Sequence, residues 1–317
     1  MLFRARTVLS AVLLSVAAVS GIAPAARAQT LPVLNIATTP TDIGSQVFYA
    51  QERGFFKAAG IDAQIQVISN GAAITSAVMG GAVDVAQSNV VSLATAHEKG
   101  FDVAIVAPAG QYATNQPTSA LVVAKNSPIK TAKDLNGKTI GVSTLHDLQQ
   151  ASVLKWVDAN GGDSSTLKFA ETPVPVMAPA LAAGRIDAAC LLEPSLTAAK
   201  DDIRIFGKCY DAIAKSLMIT SHFANTAWLD AHPDAAHAFI GALRESARWA
   251  NRNLAASSAI LADKSKIPLE TIAAMHRVQF GEALDPALIQ PVIDASAQYK
   301  FLPKDFNVSE MFWAQAR

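Results

Sequence analysis

Strict alternation of apolar and polar side chains marks IDAQIQVI (61–68) as a half-buried strand. Short apolar runs bounded by turn residues mark three more strands: PVLNIATT (32–39), VDVAQSN (83–89) and FDVAIVAPA (101–109). Helical spacing fills the gaps. VFYAQERGFFKAAG (47–60) reads as a helix stopped at Gly60, AAITSAVMGG (72–81) as a short helix closing on glycine, and VVSLATAHEKG (90–100) as a third. Polar punctuation at PTDIGSQ (40–46) and SNG (69–71) separates them. Such strand–helix alternation predicts a parallel sheet wrapped by helices.

A polar stretch, GQYATNQPT (110–118), interrupts the rhythm, which then starts again. SALVVAKNS (119–127) reads as a strand, IKTAKDLNGK (129–138) as a short helix with a turn, TIGVST (139–144) as a strand and DLQQASVLKWVDANGG (147–162) as a helix ending at glycines. LKFAETP (167–173), VMAPALAAG (176–184) and IDAACLLEP (186–194) continue as strand, helix, strand. KSLMITSHFA (215–224) is one further strand, after which the chain is expected to be helical to its end, through 234–254 and PLETIAAMHRVQF (268–280).

One phrase occurs twice. AVMGGAVDVA (77–86) returns as ALAAGRIDAA (180–189), with Ala77, Gly81, Asp84 and Ala86 matching Ala180, Gly184, Asp187 and Ala189. Each copy describes a helix that ends at a glycine able to take positive φ, followed by an Asp at the start of an apolar strand. The flanking order is also shared, so the phrase marks the same corner in two similar lobes. The expected fold is therefore α/β and two-lobed, each lobe a mostly parallel sheet flanked by helices. The expected boundaries are 29–116 with 217–317 for the first lobe and 117–216 for the second.

In open parallel sheets, ligands bind beyond the carboxyl ends of the strands. Those ends are TTPTDIGSQ (38–46), SNG (69–71) and QSN (87–89) in one lobe, and STLHD (143–147), ETPVP (171–175) and LEP (192–194) in the other. All six are polar or turn-forming, and several open helices, where free N–H groups favour an anion. Ser143, Thr144 and Asn70 each precede such a helix, and N-capping is the first reading of any one of them, so the site rests on the convergence of the six loops. Two lobes joined by extended crossings form a clamshell that a ligand closes by touching both.

Composition sets limits on partners. The chain has 317 residues, 51% hydrophobic and 16% charged, enough for one large or two mid-sized cores. Arg4 and Arg6, an uncharged run over 8–23 and the small-x-small triplet ARA (26–28) predict a secretory signal peptide over 1–28. That segment holds three Arg and no acid, so the remainder carries 23 basic against 26 acidic side chains, net −3. No basic run suggests nucleic acid, and no further segment is long and apolar enough to span a membrane. Cys190 and Cys209 fit no zinc spacing and read either as a disulfide or as buried small hydrophobes.

With these phrases in view, the chain resembles the periplasmic substrate-binding proteins of ABC importers, of the nitrate/sulfonate/taurine and thiamine-pyrimidine type. The resemblance is carried by YAQERGFFKAAGIDAQIQ (49–66), GAAITSAVMGGAVDVAQSN (71–89), SPIKTAKDLNGKTIGVST (127–144) and ALAAGRIDAACLLEP (180–194), in that order. It implies a type II periplasmic-binding fold, a periplasmic location, a small-molecule ligand without cofactor or metal, and an ABC permease in the inner membrane as partner, with the protein itself a monomer. By position it implies ligand contacts at Thr39, Asp42, Gln46, Asn70, Ser88, Asn89, Ser143, Thr144, His146 and Glu193. Members of the family often carry an aromatic residue before the Glu-Pro pair, where this chain has Leu192. Tyr112 is the candidate to supply a ring instead; it could equally pack against the hinge. The mixed charge of these loops favours a small polar organic solute, sulfonate- or taurine-like, over a bare inorganic ion.

An enzyme is disfavoured. The chain has no GxSxG, HExxH or GxxxxGK[ST] motif, and its six histidines are scattered. A pyrimidine-synthesis-type enzyme on the same fold and a periplasmic ligand sensor are the alternatives.

Overall fold

The computed structural model describes residues 31–68 and 71–316. The expected signal peptide and Asn70 lie outside the described residues.

Two five-stranded sheets organise the chain. The first contains β1 (Val33–Thr38), β2 (Asp62–Val67), β3 (Val85–Asn89), β4 (Val103–Pro108) and β12 (Thr220–Asn225), in the order β2-β1-β3-β12-β4. The second contains β6 (Ser119–Ala124), β7 (Thr139–Val142), β8 (Lys168–Glu171), β9 (Ala188–Leu192) and β10 (Ile203–Gly207), in the order β8-β7-β9-β6-β10. Both are parallel apart from the fourth strand in that order, β12 or β6, which runs antiparallel to its neighbours. The duplicated phrase thus reflects a duplicated topology.

Its two copies do the same work. In each, the helix ends with paired backbone bonds (Ala82 N–H to the Ala77 carbonyl, and Arg185 N–H to the Ala180 carbonyl, both 2.9 Å), around Gly81 at φ 69° and Gly184 at φ 65°. Asp84 Oδ2 then accepts from the Asn35 backbone N–H at 2.7 Å, and Asp187 Oδ2 from that of Thr139 at 2.9 Å. Each aspartate therefore satisfies a backbone donor of the neighbouring parallel strand, Asn35 of β1 or Thr139 of β7.

GQYATNQPT, read from the sequence as a polar stretch between the two sets of elements, contains a strand. β5 (Gly110–Ala113) pairs with β11 (Ser216–Met218) on one side and β13 (Gln279–Phe280) on the other, all antiparallel. β5 lies in the connection that leaves the first sheet and β11 in the connection that returns to it, so the two crossings are hydrogen-bonded to each other. The expected single strand 215–224 is accordingly two, β11 and β12, in different sheets, broken at Ile219. The expected helix 47–60 is also two, Gln46–Glu52 and Phe55–Ala58, because Gly54 sits at φ 73° between them.

The amphipathic helix Pro233–Arg252 covers one face of the first sheet, where Phe239 and Leu243 bury with Ile36, Val47, Phe56 and Val106. A larger cluster runs through both lobes, from Ile74, Leu93 and Ile105 to Leu121, Leu148 and Cys190, and includes Ile289 and Val292 of the helix Pro286–Gln298. A third joins Met177 and Leu181 to Val122 and Leu191. Each fully buried large aliphatic or aromatic side chain here contributes on the order of 1.5–3 kcal/mol. The expected helix 268–280 is cut short. It spans Leu269–Ala274, and the chain then extends so that Arg277 enters the interior.

Candidate functional site

A cavity of about 990 Å³ lies where the carboxyl ends of both large sheets meet. The first sheet contributes Thr39 after β1, Gln87, Ser88 and Asn89 at the end of β3, and Thr220 at the start of the reversed strand β12. The second contributes Ser143, Thr144 and His146 after β7, Glu171 at the end of β8 and Leu192 at the end of β9. Asp147 and Gln149 join them from the N-terminus of the helix Leu148–Ala159. Apolar surface comes from Ile43, Ile74, Met79, Ile219 and Phe301, and an aromatic ring from Tyr210.

Of the residues expected to meet a ligand, Thr39, Ser88, Asn89, Ser143, Thr144 and His146 border this cavity. Asn89 is also an N-cap, its Oδ1 accepting from Val91 N–H at 2.8 Å. The Thr39 hydroxyl is paired with that of Thr41 at 2.8 Å. His146 sits at φ 56° with its ring against Phe301, centroids 5.2 Å apart.

Four others turn elsewhere. Asp42 is buried beneath the first sheet's loop, where Arg277 Nε donates to Oδ1 and Val278 N–H to Oδ2, each at 2.8 Å. The same guanidinium donates to Ser258 Oγ and Tyr49 Oη, each at 2.7 Å, so Asp42 anchors an internal knot. Gln46 is equally enclosed: its Nε2 donates to the Leu243 carbonyl at 3.1 Å and its Oε1 lies 3.1 Å from His222 Nε2. Glu193 caps the short helix Ser195–Ala198, accepting from Thr197 N–H at 3.0 Å and Thr197 Oγ1 at 2.9 Å. Tyr112 is fully buried and donates to Asp211 Oδ1 at 2.7 Å. Its ring backs onto Tyr210, centroids 5.2 Å apart, so the ring that borders the cavity is Tyr210, with Tyr112 behind it.

Of the three most informative groups, Ser88 was expected and Gln87 and Gln149 were not. Gln87 Oε1, Ser88 Oγ and Gln149 Nε2 are buried, border the cavity and have no hydrogen-bond partner. Interior polar atoms are normally paired, so three at one cavity indicate where a partner from outside would sit. Gln149 is oriented as well as open: its Oε1 accepts from Ser143 N–H at 2.6 Å, which fixes Nε2 as a donor. Gln87 could have been suspected from the strand-end loop QSN, where it is the first letter. Gln149 lies inside a helix and gave no signal of its own.

Asp147 is the buried ionisable carboxylate of the lining. Its Oδ1 accepts from Gln149 N–H at 3.0 Å and Gln150 N–H at 3.3 Å, capping the helix. Burial pushes its carboxyl up to about 7; the two N–H groups oppose that shift and the Glu171 charge adds to it. Lys99, His146, Glu171 and Lys300, the other charged or titratable side chains of the lining apart from Tyr210, are all exposed. Nearby, Cys190 and Cys209 are free, fully buried thiols with Sγ atoms 3.3 Å apart. Among the described residues no group of three or more His, Cys, Asp or Glu is placed to hold a metal ion. No helix among them is long and apolar enough to cross a membrane.

The model of the family described as NMT1/THI5 like matches residues 44–254. No curated protein matches the chain. Among solved structures, the periplasmic aliphatic sulphonate binding protein SsuA of Escherichia coli is similar at a TM-score of 0.73 and 18% identity, covering 89% of this chain and 92% of that one. The alkanesulfonate-binding protein SsuA of Xanthomonas axonopodis pv. citri, bound to MOPS, gives 0.72 and 18%, covering 89% and 98%. The periplasmic nitrate-binding protein NrtA of Synechocystis PCC 6803 gives 0.71 and 14%, covering 89% and 85%. At such identities the likeness is one of fold, and the fold is the two-lobed periplasmic-binding type.

Proposed function

The chain belongs to the NMT1/THI5-like family, and from that premise we propose that it is a solute-binding component of an ABC-type importer. It captures a small polar organic solute, sulfonate- or taurine-like or related, in the interlobe cavity and hands it to a membrane permease. One observation carries the reading: residues of both lobes that line a single cavity hold buried polar atoms without partners, Gln87 Oε1 and Ser88 Oγ on one side and Gln149 Nε2 on the other. A solute that bonds to both sides favours the closed form and shifts the population towards it, and the permease reads the closed shape.

The lobes of this reading are 29–116 with 217–317, and 117–216, hinged at the crossings that hold β5 and β11. Thr39, Ser88, Asn89, Ser143, Thr144 and His146 form the rim and floor of the site, joined by Gln87, Gln149 and Tyr210. The protein acts without cofactor, as a periplasmic monomer, and does no chemistry on the solute. The likeness to binding proteins of the same fold supports a non-enzymatic role.

Native mass spectrometry of the protein as purified, followed by small-angle scattering before and after the bound solute is stripped by unfolding and refolding, tests the reading. A bound small molecule and a larger radius of gyration after stripping are expected. A bound molecule whose removal leaves the radius unchanged would refute the closing clamshell.

A further inference from the structure

We infer that the solute presents a cationic amine end to the second lobe, received by Asp147. The inference rests on the solute-binding reading above and names the class of ligand that the same cavity takes.

Charge at the cavity is layered by depth. Lys99 and Lys300 border it as exposed side chains, where water screens them. Asp147, 7% exposed, is the buried ionisable carboxylate among the lining groups. Both hydrogen bonds it receives go to Oδ1, so Oδ2 takes part in neither. Glu171, at the end of the adjacent strand β8, adds a second carboxylate to the same wall. Once Asp147 is ionised, a bare oxyanion entering here would meet a buried negative charge with no buried cation in the described lining, which is the costly arrangement. An ammonium meets the reverse: the Asp147 carboxylate attracts it, and the unpartnered Oε1 of Gln87 is a further acceptor in the same lining.

A second contact is offered beside Asp147. Gln149 Nε2 is a fixed donor without a partner, so it takes an acceptor atom of the ligand. Ile74, Met79, Leu192 and Tyr210 add apolar surface to the same cavity. The titratable groups that act on Asp147 from its neighbours are Glu171 of β8, Cys190 of β9 and Tyr210, which follows β10. None of them is a cation. An incoming ammonium therefore supplies a positive charge that the protein does not provide at depth.

Three probes that share one body separate the head groups: n-hexylamine, hexanamide and hexane-1-sulfonate, each titrated calorimetrically into the stripped full-length protein. Hexylamine is expected to bind tightest, with hexanamide weaker and hexanesulfonate weakest. Hexylamine affinity should rise with pH between 6 and 8, as Asp147 loses its proton. Asp147→Asn, which preserves the N-cap, should weaken hexylamine by about tenfold or more, the worth of one charge-assisted hydrogen bond. Glu171→Gln should weaken it less, because its charge is exposed. Tighter binding of the sulfonate, or a hexylamine affinity unmoved in a folded Asp147→Asn protein, overturns the cationic end while leaving solute capture intact. Failure of all three probes with a protein that carries a co-purified solute also overturns it; failure with no co-purified solute counts against both readings.

Discussion

The two large sheets have the same strand order, the same reversed fourth strand and the same aspartate corner, yet their carboxyl ends carry different chemistry. At depth the first lobe brings neutral groups to the cavity, the Gln87 amide and the Ser88 hydroxyl, with Lys99 and Lys300 exposed. The second brings a helix N-terminus capped by a buried carboxylate, Asp147, and an oriented amide donor, Gln149. Duplicated topology thus holds unlike surfaces against each other, and a solute with two unlike ends fits such a gap better than a symmetric ion. The lobes also differ in what steadies them. The Asp42–Arg277 knot locks the first sheet's leading loop to the chain before β13, and the described residues of the second lobe have no salt bridge as deeply buried.

That last difference predicts the largest effect. Arg277→Ala leaves the Asp42 carboxylate buried without its partner and should cost about 3–5 kcal/mol in urea denaturation, enough to unfold a marginal domain. An equal loss on cutting the exposed Lys138–Asp187 pair would erase the asymmetry; that pair is expected to contribute under about 1 kcal/mol.

The matched corners come next. Asp84→Ala and Asp187→Ala each strand one backbone donor, at Asn35 and Thr139, and each should cost about 1–3 kcal/mol. Asp84 also accepts from the Asn35 side chain at 3.1 Å, so its loss should be the larger of the two. Neither substitution should change solute affinity, since both residues stand at the strand start, away from the cavity; calorimetry on the refolded variants checks this.

The pH dependence separates the lobes by sign. Burial raises Asp147 in the second lobe to about 7 from the ordinary 3.8, so the folded form holds this proton more tightly than the unfolded form. Stability from this group is therefore full below about 4 and falls as pH rises towards about 7. His222 in the first lobe is pushed by burial down to about 3 from 6.5. Its contribution is full above about 6.5 and is lost as pH falls towards about 3. Asp147→Asn should therefore raise the thermal midpoint at pH 8 by a few degrees and leave it little changed at pH 4. A gain at pH 4 as large as at pH 8 would show that Asp147 is not held protonated by burial.

The smallest effect on stability, with a large effect on binding, is expected at the open amides. Gln87→Leu and Gln149→Leu replace groups with unpartnered buried atoms, so Gln87→Leu should leave the urea midpoint within about 0.5 kcal/mol. Gln149→Leu also removes the acceptor for Ser143 N–H and should cost about 1 kcal/mol. Both should weaken capture of the co-purifying solute, followed by native mass spectrometry. A Gln87→Leu protein that retains its solute would separate the first lobe from the site.

Much of the scaffold was legible because it depends on local rules. Period-two alternation in 61–68 and the glycine stops at Gly81 and Gly184 follow from chain geometry within a few residues, and the repeated aspartate was legible by its recurrence. The rim of the site was legible to the same extent: strand ends in such sheets point one way, so Ser88, Asn89, Ser143 and Thr144 border the cavity. Asp42, Gln46, Tyr112 and Glu193 are polar side chains in the same strand-end and crossing segments of the sequence, and no local rule distinguishes them from the residues at the cavity. Each instead meets a partner far along the chain or on a neighbouring turn: Arg277, Leu243, Asp211 and Thr197.

The sequence by itself determined the alternation of strands and helices, the doubling of the lobe and the direction in which the sheets present their loops, because backbone sterics and hydrophobic period act at short range. The tertiary structure alone decided which polar atoms are spent inside the protein and which remain open. It paired Asp42 with Arg277, zipped the crossings through β5 and β11, put Tyr210 rather than Tyr112 at the cavity, and left Gln87, Ser88 and Gln149 without partners. A hydrogen bond is satisfied by whatever donor or acceptor the fold brings within about 3 Å. That neighbour is set by packing across the whole chain, and it separates a residue that holds the scaffold from one free to hold a solute.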